Sequence, residues 1–161
     1  MNQTMNFRQT MTQVSKKVVI TMTLLLTLGM SYSFAAGPLD AVSGEIRASF
    51  KKDFQHAELM GTEVRASFTR LTFKMNDAVL FAFYSKDGVL LAVTRNITSS
   101  QLPMNLLMSL KNDYSAHWIT ELFELNNDDQ TTYYVSLESA DGKITLRSNG
   151  DSWEVYTSTK K

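Results

Sequence analysis

The sequence predicts an α+β protein built as a tandem repeat. Each copy is one helix plus about four antiparallel strands, and both helices lie on one face of a shared twisted antiparallel sheet. Three observations carry this. Apolar residues recur every four positions at Val42, Ile46, Phe50 and Phe54, and again at Leu102, Leu106, Leu110 and Tyr114, each sixty positions later. A stripe of that period is one side of an amphipathic helix. The segment Ser49-Phe50-Lys51-Lys52-Asp53-Phe54 stands sixty positions before Ser109-Leu110-Lys111-Asn112-Asp113-Tyr114 and keeps its Ser, one Lys and its Asp. After each stripe the chain alternates apolar and polar residues between Asn-Asp, Asp-Gly and Asn-Gly pairs, which favour hairpins over crossovers.

The first 35 residues read as a signal peptide. Residues 1–17 are polar and end in Lys16-Lys17, residues 18–30 are almost wholly apolar, and Ser33 and Ala35 are small residues in small-x-small order. An apolar run this short falls below the roughly 20 residues of a spanning helix. Cleavage is expected after Ala35, with the bond after Ala36 as the alternative, giving a periplasmic or secreted protein without stable membrane insertion. Residues 36–161 then form the tandem domain, with its first copy at about 40–96 and its second at about 97–157.

In the first copy, Asp40 or Ser43 is available to cap a helix that ends near Gln55 or His56. A short strand follows at residues 59–65. Residues 67–75 alternate, with Leu71, Phe73 and Met75 on one side and Arg70, Thr72 and Lys74 on the other. Asn76-Asp77 turns the chain into the apolar residues 78–84, and Asp87-Gly88 turns it again into residues 89–95. In the second copy, Pro103 suits the first turn of a helix. Strands are expected at residues 118–123, 131–138, 143–148 and 153–156. Asn126 to Asp129 breaks the first of them, Asp141-Gly142 and Asn149-Gly150 are the later turns, and residues 157–161 form a frayed tail.

Composition narrows the function classes. The chain is 43% hydrophobic and 20% charged, enough for one domain or two fused small modules. Sixteen basic residues balance sixteen acidic ones, but Arg8, Lys16 and Lys17 belong to the leader, so thirteen basic face sixteen acidic after cleavage. That balance lacks the basic footprint of a nucleic-acid binder. There is no cysteine, hence no disulfide framework, thiolate nucleophile or lipidated cysteine. The histidines His56 and His117 stand singly near the two helix ends, where the helix dipole favours them, and neither has a second ligand at metal spacing. No nucleophile elbow, glycine-rich phosphate loop or calcium loop is present. The sequence therefore predicts no catalytic residue, no metal and no cofactor. Asn96-Ile97-Thr98 matches a glycosylation sequon.

Aromatic residues on strands remain. Helices cover one sheet face, so aromatics on the other are available as contact surface. The candidates for a binding face are Phe68, Phe81, Phe83 and Tyr134.

The order of these motifs also carries a likeness. An aromatic-ended helix, Phe83-Tyr84-Ser85-Lys86-Asp87-Gly88, Leu102-Pro103 opening a helix, Tyr114, Trp118-Ile119, Tyr133-Tyr134-Val135 and a late Asp141-Gly142 resemble the PepSY-like proteins grouped with beta-lactamase-inhibitor-like domains. The likeness runs from about Val42 to Tyr156, and departs at Thr62, where relatives often carry an aromatic. It implies an α+β tandem repeat with an antiparallel sheet, an exported location and no catalysis. Together with the residues, it points to a non-enzymatic exported module for an unidentified protein or peptide, inhibitor-like in character. The alternative is a carrier of a small apolar ligand held between helices and sheet. Open sheet edges offer a route to an edge-strand dimer.

Overall fold

Ser43 starts the first helix: its hydroxyl accepts the Ile46 N–H at 3.4 Å and so satisfies one of the donors a helix N-terminus leaves unpaired. In the computed structural model, which describes residues 42–127 and 130–160, this helix is α1, Gly44–Asp53. The leader with its cleavage site, Asp40 and the Asp128-Asp129 pair lie outside the described residues. The strands that follow are β1 (Glu58–Val64), β2 (Thr69–Met75), β3 (Ala78–Tyr84) and β4 (Leu90–Asn96). A short 3-10 turn at Ser99–Gln101 leads into α2 (Met104–Asp113), and then β5 (Trp118–Asn127), β6 (Gln130–Glu138), β7 (Gly142–Asn149) and β8 (Ser152–Lys160).

The tandem repeat with both helices on one face of a shared sheet is not what the chain forms. Strand order follows chain order from β1 to β8 in one eight-stranded sheet, with two ten-residue helices as its only α-helices among the described residues. The physical reason is that a four-residue apolar stripe specifies that a helix buries one side. It carries no information about duplication or about which sheet face receives it. The chain does divide into two compact units, one up to Ala92 and one from Val93 onward.

In the first unit, the α1 stripe is buried as its period requires: Val42, Ile46, Phe50 and Phe54 are each at most 5% exposed. Phe50 and Phe54 meet Phe73 of β2 with ring centroids 5.2 and 4.6 Å apart. Side chains alternate across a strand, so Leu71 and Phe73 share the α1 side with their register partners Ala82 and Leu80 on β3. Tyr84 lies on that side too, and its hydroxyl donates to the Asp53 carboxylate at 3.1 Å. Arg70, Thr72, Phe81 and Phe83 therefore fall on the opposite side. Asn76 and Asp77 both take positive φ, 51° and 62°, as a two-residue hairpin requires. At Gly88 (φ 76°) a Cβ would come within 2.9 Å of the Glu45 carbonyl carbon, so only glycine lets this turn lie against the first turn of α1.

In the second unit, Pro103 stands one position earlier than expected, at the N-cap of α2. Leu102, Leu110, Leu122, Val135, Leu137 and Leu146 form a buried cluster, with Leu107, Tyr114 and Trp153 packed against it. Each such aliphatic side chain contributes about 1.5–3 kcal/mol by leaving water. The Trp153 indole N–H donates to the Leu106 carbonyl at 2.9 Å, tying β8 to α2. Two boundaries differ from expectation by four residues. β5 continues through Asn126 and Asn127, whose partners on β6 are Thr131 and Gln130. The expected frayed tail is strand: Thr157 to Lys160 pair with β7 back to Gly142.

Candidate functional site

On the side of the first unit away from α1, the pairings Glu63 with Arg70 and Arg70 with Phe83 set an ion pair beside an aromatic. The Arg70 guanidinium reaches the Glu63 carboxylate, which also pairs with Arg65. It sits 5.6 Å from the centroid of the Phe81 ring, within cation–π range. Burial pulls the Arg70 pKa below its ordinary value, and the Glu63 charge works against that pull. Phe68 meets Phe83 edge-on at 5.5 Å. The structure thus brings Phe68, Phe81 and Phe83 together on one face. Phe68 and Phe81 are half-buried there, whereas Phe83 is 4% exposed and supports its neighbours.

Tyr134, the fourth candidate, belongs to the second unit and lies on the side away from α2. Val135 and Leu137 face the helix-side cluster, so Tyr134 points the other way, in register with Phe123 on β5 and Arg147 on β7. Its ring stacks on Phe123 at 5.2 Å, with 9° between the planes, and meets Tyr156 edge-on at 5.7 Å. Arg147 is held by the Glu154 carboxylate and lies 5.7 Å from the Tyr156 ring centroid. The hydrogen bond to Glu154 raises the Arg147 pKa, and burial raises that of Tyr134. Tyr134 itself is 3% exposed, so Phe123, Tyr156 and Arg147 form the accessible part of the band.

Sequence reasoning missed Phe123, Tyr156, Arg147 and Glu154 as partners of Tyr134. One signal could have found half of them. A two-residue turn at Gly150-Asp151 sets Asn149 opposite Ser152, and counting back two residues on each strand sets Arg147 opposite Glu154. Arg95 and Glu124, a second register pair, fall on the α2 side, where two bonds of 2.6 and 3.2 Å satisfy the buried carboxylate. Among the described residues, no three His, Cys, Asp or Glu side chains gather as a metal site, and no helix is long and apolar enough to cross a membrane.

No family model matches this chain, and no curated protein matches it. Solved structures do. A DUF2874 family protein from Bacteroides uniformis superposes with a TM-score of 0.64 at 14% identity, over 74% of this chain and 89% of the other. A BLIP-like protein from Bacteroides fragilis gives 0.61 at 14% identity, over 74% and 86%. The fold is BLIP-like. A candidate periplasmic protein from Bacteroides eggerthii superposes on this chain with a TM-score of 0.63 at 11% identity, over 74% and 88%. The likeness supports the BLIP-like fold of the expected resemblance and does not extend to PepSY proteins specifically. At these identities, the BLIP-like assignment describes architecture alone.

Proposed function

We propose that the chain is an exported, non-enzymatic module that binds a protein or peptide through the aromatic and arginine band opposite α2, in an inhibitor-like manner. The observation that carries this is the pre-organised set Phe123, Tyr134, Tyr156 and Arg147, with ring contacts of 5.2 and 5.7 Å and a guanidinium fixed by Glu154. Tyrosine and arginine give large contact area for little lost freedom, and fixing them beforehand lowers the entropic cost of association. The Phe68, Phe81 and Arg70 cluster of the first unit is built on the same lines. Export rests on the order of the leader, and the candidate periplasmic neighbour agrees with it.

The test is affinity capture from periplasm by the mature chain, identification of the partner, and titration of that partner against Phe123→Ala and Arg147→Ala. Each substitution is expected to weaken binding by about tenfold or more, with melting temperature nearly unchanged. Equal affinity for both variants and the parent would remove the band as the contact surface. Mass spectrometry of the exported protein should find Ala36 at the N-terminus, and an intact Met1 would overturn the leader assignment.

A further inference from the structure

β5 is paired on both sides along only part of its length. The ladder with β4 runs from Val93 opposite Asn126 to Asn96 opposite Phe123, and the Ile97 N–H adds one bond to the Leu122 carbonyl at 3.1 Å. After Ile97 the chain leaves for the 3-10 turn and α2. On its other side β5 stays with β6 back to Trp118 opposite Glu138. Trp118, Ile119, Thr120 and Glu121 therefore overhang the end of β4. All four are exposed, Trp118 at 53% and Ile119 at 44%. An interior strand ordinarily uses its backbone groups on both sides, and a four-residue stretch open on one side is a template for another strand.

We propose that this overhang is a strand-addition site that takes an extended, alternating basic and apolar segment of a partner protein, paired backbone to backbone beside Trp118–Glu121. The register defines the chemistry of the occupant. Glu121 opposes Ser136, and Trp118 opposes Glu138, which in turn opposes Lys143 on β7, so the Glu121 carboxylate and the Trp118 indole are what the face away from α2 offers an added strand. A lysine or arginine of an added strand meets opposite charge and an aromatic surface there. Ile119 opposes Leu137 on the other face, so the alternate residue of the added strand is apolar. A second copy of the chain supplies no base to meet Glu121, since residues 118–121 hold none. Antiparallel self-pairing of these four residues would set the Glu121 of one copy opposite the Trp118 of the other and leave both carboxylates without an opposite charge from the added strand. The site acts through backbone pairing at β5, so it goes beyond the band centred on Tyr134 and does not need that band.

The experiment uses the mature chain and three capped hexapeptides: alternating Lys and Val, alternating Glu and Val, and the Lys-Val peptide with every backbone nitrogen methylated. The Lys-Val peptide is expected to bind saturably and to slow amide exchange at residues 118–121. Its affinity should exceed that of the Glu-Val peptide by about tenfold. The methylated peptide should not bind. Glu121→Lys should reverse the charge preference, and Trp118→Ala should weaken binding by about fivefold or more. Equal binding of the methylated and parent peptides, or protection mapping outside residues 118–121, would overturn the proposal. So would protection that grows with protein concentration in the absence of peptide, because the occupant would then be a second copy.

Discussion

Thr62 and Tyr84 are two polar side chains turned toward the core of the first unit, and they meet opposite fates. Thr62 is in register with Leu71, and its hydroxyl is buried without a hydrogen-bond partner. Such a group costs about 1–3 kcal/mol, so Thr62→Val, which keeps the shape and removes the hydroxyl, should stabilise the protein by about 1 kcal/mol. The urea midpoint should rise with an unchanged slope. Tyr84, fully buried, donates to Asp53 at 3.1 Å, and Tyr84→Phe should cost about 1–2 kcal/mol. Burial raises the Tyr84 pKa above its ordinary value of 10, and the Asp53 carboxylate adds to the shift. A raised folded pKa means that the unfolded chain loses this proton first. The contribution is therefore complete below about pH 10 and declines as pH rises beyond it. Urea midpoints across the alkaline range should fall more gently in Tyr84→Phe than in the parent. Some decline will remain, because burial raises Tyr133 and Tyr134 too.

Among the elements, β8 shows best how a strand can hide in a sequence. Thr157-Ser158-Thr159-Lys160 has no apolar alternation, and period is the main sign by which a strand is read. What holds it is the neighbouring strand. Gly142 pairs with Lys160, and a Cβ at Gly142 would stand 2.3 Å from the Thr159 carbonyl oxygen. Close backbone approach is thus the role of this glycine, which the sequence presents only as half of an Asp-Gly turn. Gly142→Ala should cost about 1–3 kcal/mol and release residues 157–160 to rapid amide exchange while the rest of β7 stays protected. Protection unchanged at Thr159 would show that the two strands stay paired around an added Cβ, and that close approach is not the role of Gly142. Helices were easier to read, since Ile46, Phe50, Leu106 and Leu110 are all buried as their four-residue spacing demands.

For the whole molecule, what could be read was what nearest neighbours in sequence determine: stripes, turns and most strand limits. The duplication inferred from sixty-residue matches did not hold, because similar stripes arise wherever a short helix must bury one side. Phe81, Phe83 and Tyr134 were legible as strand residues, whereas Phe68 stands one position before β2, and the exposure of the four was not legible. Phe83 and Tyr134 are enclosed by side chains from other strands, and that depends on register across β2–β3 and β5–β7. Every strand in the order β1 to β8 lies beside its predecessor in the chain. Refolding should therefore fall in the range of local β topologies, roughly milliseconds to seconds, with a rate insensitive to reductant, which stopped-flow fluorescence of Trp118 and Trp153 can follow. A polypeptide delivered through a narrow pore with its amino end leading could close each hairpin as soon as both arms are clear. It would wait neither for its far end nor for an oxidant to finish the job.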